Sequence, residues 1–178
     1  MATLSRDDII AALERLGQLA VEEGLAVELI AVGGAVMVLA YNARLSTRDV
    51  DVMIVTPQDA QSVRRLATRV AAERDWPGDW LNDAAKGYLV GMSAGAMLLT
   101  APGIQVRAPS VEQLLAMKLS AWRDDLDIAD ARRLLQELAS TDGSEAVWKR
   151  VEPFLAPADE LSAQYAFEDL WESLYGKP

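Results

Sequence analysis

An apolar run that ends in a glycine pair, followed by a second apolar run that opens with two aspartates, constrains this chain most. Residues 27–32 (VELIAV) have the length and branched side chains of a buried strand, and Gly33–Gly34 ends that run. The second run begins at Asp49–Asp51 (DVD) and continues to Val55. Because side chains alternate between the two faces of a strand, the two aspartates are predicted to share one face, with Cα atoms about 6.6 Å apart.

Each half of this pattern has a chemical and an ordinary interpretation. A glycine pair at the start of a helix lets phosphate approach the backbone, although for Gly33–Gly34 alone an ordinary strand-to-helix turn is favoured. Two carboxylates on one strand face can bind a hard cation or bridge two Mg²⁺ ions, and they can equally be a solvated strand entry. Found together, the two halves favour a site for a metal ion and phosphate.

These residues resemble the signature of a known family. The glycine pair and residues 46–51 (STRDVD) are similar to the nucleotidyltransferase fold, in particular to the small AbiEii-like branch that includes toxins of toxin–antitoxin systems. Further segments resembling bacterial members of that branch are 80–85 (WLNDAA), 114–123 (LLAMKLSAWR) and 127–130 (DIAD). The resemblance covers about residues 25–138. It implies an α/β (α+β) fold in which helices flank a small mixed sheet, with a helical C-terminal extension.

The resemblance also implies a set of site residues. Asp49 and Asp51 would bind Mg²⁺ or Mn²⁺, and Gly33 and Gly34 would lie at the triphosphate of an NTP. The remaining candidates, which would complete the site, are Thr47, Lys118, Arg123 and Asp130.

Two departures from the wider superfamily are visible. Many members have Ser where this chain has Gly34, so a hydroxyl contact to phosphate is lost. Members also often place a third carboxylate on a later strand, and the candidate strand 103–107 (GIQVR) has none. The AbiEii-like branch tolerates this gap by using a lysine and a more distant aspartate.

Lys118 lies on a predicted helix over residues 111–123, at the edge of an apolar stripe. Its stem can pack while the ammonium turns outward to solvent, which is the commoner arrangement. Alternatively the ammonium reaches nucleotide phosphates, which we favour because the aspartate pair implies a phosphate substrate. Arg123 would add a bidentate contact or cap the helix end.

An acidic run follows this helix. Its spacing lacks the Gly and Glu of a calcium-binding EF-hand loop, so that interpretation is rejected. Asp124 or Asp125 is predicted to cap a helix that runs to Leu138. Asp127 is interpreted as a first-turn partner of the helix dipole, and Asp130 is chosen as the site residue.

Periodicity predicts the remaining elements: helices near residues 6–23, 34–42, 57–73, 144–154 and 158–174, and short strands within 86–107. The aromatic residues of the last two helices are assigned to packing, in the core or at a dimer surface. We predict one nucleotidyltransferase-like domain over residues 1–138 and a helical extension over 139–178 that packs on the same core.

Composition narrows the chemistry. The chain has no Cys and no His, which excludes disulfides, thiolate or imidazole zinc sites, and catalysis by a Ser-His-Asp triad. Its net charge of −10 disfavours non-specific binding to nucleic acid. No segment has the pattern of a membrane span or signal peptide, so a cytoplasmic location is expected.

Together these features predict a Mg²⁺-dependent nucleotidyltransferase. It would transfer a nucleoside monophosphate from an NTP to tRNA, a protein or a small molecule. One form of this hypothesis makes the protein a component of a toxin–antitoxin system. The alternative is an inactive member of the fold that serves as a binding module, an antitoxin or a partner protein. A homodimer or a cognate protein partner is compatible with either hypothesis.

Overall fold

A five-stranded mixed sheet forms the centre of the N-terminal half of the fold. The computed structural model describes residues 3–83, 89–122, 124–139 and 142–176. The strands are β1 (Leu4–Ser5), β2 (Val27–Val32), β3 (Ser46–Thr47), β4 (Val50–Thr56), β5 (Leu81–Asn82), β6 (Met97–Ala101) and β7 (Ile104–Arg107). The sheet has the order β5-β4-β2-β7-β6, and β1 pairs with β3 in a separate two-stranded sheet.

The pairing of β2 with β4 brings the glycine pair to the aspartates. These strands are antiparallel, and Val32 at the end of β2 lies opposite Asp51 near the start of β4. β5 runs parallel to β4, and the Val50 amide donates to the Trp80 carbonyl at 2.6 Å. Two motifs separated in sequence therefore meet at one end of the sheet.

Three helices accompany this sheet: α1 (Arg6–Glu22), α2 (Gly33–Leu39) and α3 (Ala60–Arg74). A capping box between Ser5 and Asp8 begins α1. α3 begins three residues after the predicted start at residue 57, because Asp59 caps that helix by accepting from the Gln61 amide at 3.1 Å. The buried Trp80 indole donates to the Ala67 carbonyl of α3 at 2.9 Å, which fixes the turn before β5.

The C-terminal half of the described fold is helical. Its helices are α4 (Val111–Ala121), α5 (Asp125–Leu138), α6 (Ser144–Val151) and α7 (Glu160–Tyr175), with a 3-10 turn at Glu152–Phe154 between the last two. α4 packs against α5, α6 and α7. Phe167 and Leu170 of α7 are buried in the core, whereas Leu161 and Tyr165 are mostly exposed, so for these two only packing at a dimer surface stays a prediction.

The chain divides into two compact units. One comprises the described residues within 1–87 and 94–109, and the other comprises those within 88–93 and 110–178. The buried amide of Gln113 joins the parts of the second unit by donating to the carbonyls of Val90 and Gly91. The division into residues 1–138 and 139–178 stays a prediction.

The α+β class with a small mixed sheet and flanking helices is confirmed. Across the described ranges, no helix combines the length and the apolar character that a membrane crossing needs.

Candidate functional site

The aspartate pair lies at the start of β4, with Asp49 directly before the strand and Asp51 on its more exposed side. Val50 and Val52 are fully buried, whereas Asp49 and Asp51 are partly exposed, so the strand alternates as the sequence predicts. Burial raises the pKa of Asp49 above its ordinary value of 3.8, and the negative charge of Asp51 raises it further. Arg48 partly opposes this rise in the pKa. A cation bound by both carboxylates would relieve this crowding of negative charge.

Gly33 is required at its position for two reasons. Its φ of +64° lies in the left-handed region, which side chains other than glycine rarely adopt. The Oδ2 atom of Asp51 lies 3.1 Å from the point that a Cβ at residue 33 would occupy. The backbone turn therefore passes directly against one carboxylate of the pair.

Gly34 lies against two other side chains. A Cβ at this residue would lie 2.6 Å from Oγ1 of Thr47 and 3.4 Å from Nη1 of Arg44. Thr47 is buried and Arg44 is half-buried. Thr47 was a candidate from the sequence, but Arg44 was not. The only sign of Arg44 in the sequence is its position three residues before Thr47. Whether its guanidinium reaches the glycine turn depends on how residues 40–45 fold.

Substituting Gly34 tests the tightness of this arrangement. Gly34→Ala is expected to lower the free energy of unfolding by about 1–3 kcal/mol, because the short Thr47 side chain must move. Gly78→Ala is the matched control, since a Cβ there meets nothing within 4 Å, and its change is expected to stay within about 1 kcal/mol. Urea unfolding measures both. Thr47→Ala in the Gly34→Ala background should recover part of the lost stability. Equal stability of Gly34→Ala and Gly78→Ala would contradict the close contact between residue 34 and Thr47.

The raised pKa of Asp49 predicts a pH-dependent effect of Asp49→Asn on the metal-free protein. A carboxyl group whose pKa is higher in the folded than in the unfolded state makes the fold less stable as pH rises. The loss begins near the ordinary pKa of 3.8 and is complete above the folded-state pKa. The variant is therefore expected to unfold at higher temperature than the wild type at neutral pH, with the gain vanishing in acid. Glu14→Gln, on the exposed side of α1, is the charge control. A gain independent of pH would contradict this cause.

A second cluster lies in the helical unit. The Lys118 ammonium is 2.9 Å from Oδ1 of Asp127 and 2.8 Å from Oδ2 of Asp130, and both aspartates are buried. The prediction that Asp124 caps α5 is confirmed, since it accepts from the amides of Leu126 and Asp127. The interpretation of Asp127 as only a dipole partner is wrong, because it binds Lys118 directly.

The commoner arrangement, in which the Lys118 ammonium turns outward to solvent, is not the one observed. Lys118 is mostly buried and directs its ammonium to the two carboxylates. One positive charge faces two negative charges, so the formal charge of the three groups is −1. Asp127 could have been found from the sequence, because it lies three residues before Asp130 and shares its helix face.

The structure thus groups the predicted residues in two places. Gly33, Gly34, Thr47 and Asp51 meet in the sheet unit together with Asp49, and Lys118 meets Asp130 in the helical unit. Arg123 lies outside the described residues, as do Ala84 and Ala85 of the segment that resembled the family. Within the part of the chain that the structure describes, no three or more Asp or Glu side chains gather as a metal-binding group.

A glycine turn packed against a carboxylate-bearing strand of a small mixed sheet defines a nucleotidyltransferase-like α+β class. The chain belongs to the family described as "Nucleotidyltransferase of unknown function (DUF6036)", which matches residues 8–142. No curated protein and no solved structure matches it. The matched residues include both clusters, whereas α6 and α7 follow them. The resemblance to nucleotidyltransferases is therefore confirmed, and the assignment to the AbiEii-like branch stays a prediction.

Proposed function

We propose that the protein is a Mg²⁺-dependent nucleotidyltransferase that moves a nucleoside monophosphate from an NTP to an acceptor. The observation that carries the proposal is the convergence of Asp51, Thr47 and Arg44 on the Gly33–Gly34 turn in one unit of the fold. In the reaction, an acceptor atom would bond to the α-phosphorus while the bond from that phosphorus to the bridging oxygen breaks. Pyrophosphate would leave with the bond electrons.

The carboxylates of Asp49 and Asp51 fit a magnesium ion. Mg²⁺ prefers oxygen ligands and is usually held by one or two carboxylates together with substrate phosphates and water. A pair of aspartates is therefore enough when the substrate is an NTP. The crowded charge that raises the pKa of Asp49 supports a cation at this point. When bound, Mg²⁺ would neutralise phosphate charge, and the protein's part is to hold it and the phosphates in place.

The phosphate side of the proposed site combines backbone and side-chain donors. Gly33 and Gly34 leave the turn without side chains that would block a phosphate. The Thr47 hydroxyl lies 2.6 Å from the point that a Cβ of Gly34 would occupy, and it supplies the type of donor that Gly34 itself lacks. Arg44 brings a guanidinium, whose fork of N–H groups matches phosphate oxygens.

For the cluster around Lys118, the role predicted from the sequence is kept as part of the proposal. Asp130 would orient the acceptor or take its proton, and Lys118 would hold the carboxylate in position. The predicted contact of Lys118 with phosphate would require the ammonium to leave an aspartate. We assign the phosphates to Arg44, because its Nη1 atom lies 3.4 Å from the point that a Cβ of Gly34 would occupy.

Position-specific labelling tests the reaction. Purified protein is incubated with Mg²⁺, cell extract and each NTP labelled at either the α- or the γ-phosphate. Transfer of a nucleoside monophosphate is expected to label an acceptor from the α-labelled NTP only, and to release pyrophosphate. Label from the γ-phosphate alone would indicate a kinase and would overturn the proposal. The experiment also identifies the acceptor as nucleic acid, protein or small molecule.

Arg44 gives a test of nucleotide binding. Arg44→Gln is expected to weaken ATP binding by about tenfold or more in calorimetric titration with Mg²⁺, with a smaller loss for AMP, since the guanidinium acts on phosphate charge. Arg65→Gln is the control, because Arg65 is exposed and pairs with Glu23 at 2.6 Å. Arg44→Lys should give intermediate affinity. Equal ATP affinity of wild type and Arg44→Gln would remove Arg44 from the site.

One observation favours the alternative of an inactive binding module. In the ranges described, the aspartate pair is not joined by a third acidic ligand. Such a module would bind NTP with Mg²⁺ in the titration and yet transfer no label from any of the nucleotides. The two measurements together therefore separate the active enzyme from the binding module.

The finer family assignment is part of the proposal. We place the chain in the AbiEii-like branch and expect it to act in the cytoplasm, where NTPs are abundant. If it is a toxin, induced expression in a bacterial host should arrest growth, and Asp51→Asn should relieve the arrest. An antitoxin or a housekeeping enzyme would leave growth unchanged.

A further inference from the structure

A row of aromatic rings in tilted contact runs along α6 and α7. Ring centroids are 5.3 Å apart for Trp148 and Phe167, 5.8 Å for Phe167 and Trp171, and 4.7 Å for Trp171 and Tyr175. Phe167 is buried, whereas the two tryptophans are only half-buried and Tyr175 is 47% exposed. The row therefore keeps part of its aromatic surface open to a ligand, rather than serving the core alone.

This row forms part of a groove between α6 and α7. The groove has a volume of about 580 Å³ and includes Trp148, Phe167 and Trp171 in its lining. The charged side chains that line it, among the described residues, are all acidic: Glu145, Glu168 and Glu172. Glu145 also pairs with Lys149 one turn further along α6, and that exposed pair is weak.

We propose that this groove binds an arginine-bearing segment of a partner protein. A guanidinium stacks on the face of Trp or Tyr, and its attraction to the ring is combined here with nearby carboxylates. The groove offers aromatic rings and acidic groups side by side, so one arginine side chain can use both. This pairing of charge and surface distinguishes the groove from an ordinary apolar patch.

The length and charge of the groove point to the same occupant. Its lining on α7 runs from Gln164 to Glu172, which is about 12 Å of helix axis. That length suits two or three side chains of an extended segment. A second copy of this chain is a poor occupant, because its net charge of −10 repels the acidic lining. The residues that line the groove all lie beyond residues 8–142, so the groove shares no residue with the proposed transferase site.

The test uses a capped hexapeptide of alternating Arg and Ala, titrated into the full-length protein by calorimetry. A matched peptide with citrulline in place of Arg keeps the shape and removes the charge. Its affinity is expected to be lower than that of the Arg peptide by about tenfold or more. Glu168→Gln with Glu172→Gln should weaken the Arg peptide by about fivefold or more. Trp171→Leu should weaken it to a similar extent, and circular dichroism checks that this variant is folded.

A matched pair of substitutions controls for the overall negative charge. Asp7→Asn with Glu14→Gln removes two exposed charges from α1, and the affinity for the Arg peptide is expected to stay within about twofold. An equal loss in this control would show general attraction to an acidic protein and overturn the proposal. Unchanged affinity in the Glu168 and Glu172 double variant would do the same. Tighter binding of spermidine than of the peptide, lost in the same variant, would indicate a small organic cation instead.

Discussion

Asp51→Asn is expected to lower nucleotidyl transfer by about 10³-fold or more while leaving the fold intact. The asparagine has almost the same shape, so its contact with the Gly33 turn is retained. What is lost is one of the two carboxylates that would hold Mg²⁺ beside the phosphates. The initial rate of label transfer from an α-labelled NTP measures the effect, and thermal unfolding confirms that the variant is folded.

Asp79→Asn is the control for this prediction. Asp79 is exposed in the turn before β5, and its charge acts on Asp49 from a distance by raising the pKa of that carboxyl. Its substitution changes the local field without removing a proposed ligand, and transfer is expected to stay within about fivefold. If Asp51→Asn keeps more than about a tenth of the wild-type rate, or if the two variants lose activity equally, the proposed metal site is wrong.

The sheet end that holds the proposed site was largely predictable from the sequence. The strand predicted over residues 27–32 is β2, and the alternation of Asp49 to Met53 follows the predicted faces. Strong apolar periodicity and a glycine turn are local signals, and here the tertiary structure agrees with them. The meeting of Gly33 with Asp51 follows because β2 and β4 are antiparallel neighbours.

Helix ends were less predictable, because they depend on single backbone conformations. α2 was predicted to reach residue 42 but ends at Leu39, and Asn42 has a φ of +48° that no α-helix contains. α4 was predicted to reach residue 123 but ends at Ala121, where Trp122 has a φ of +27°. Neither residue is glycine, so composition gives no warning of these left-handed positions.

The side chains that sequence reasoning missed share a cause. Arg44 and Asp127 each contact a residue from another element, the glycine turn in one case and α4 in the other. Both are charged residues in segments whose ordinary interpretation is a solvated surface. Only the packing of α4 against α5 shows that Lys118 is mostly buried and is paired with two acids.

Lys118→Met is expected to lower the free energy of unfolding by about 3 kcal/mol or more. The methionine fills the space of the lysine stem, so the loss is electrostatic rather than a cavity. Asp127 and Asp130 are buried, and the substitution removes the ammonium that lies within 2.9 Å of both. Urea unfolding measures the change. Lys149→Met is the matched control, because Lys149 pairs with Glu145 on the exposed surface of α6, and its effect on stability is expected to be far smaller.

A triple variant separates stability from catalysis. Lys118→Met, Asp127→Asn and Asp130→Asn together remove every charge of the cluster, so most of the stability lost in the single variant should return. Transfer should nevertheless remain reduced by about 10²-fold or more, because Asp130 can no longer orient the acceptor or take its proton. A stable triple variant with wild-type transfer would make the cluster purely structural. If Lys118→Met alone is as stable as the wild type, the buried ion pairs are contradicted. Asp127 and Asp130 would then be buried without the lysine at no measurable cost in stability.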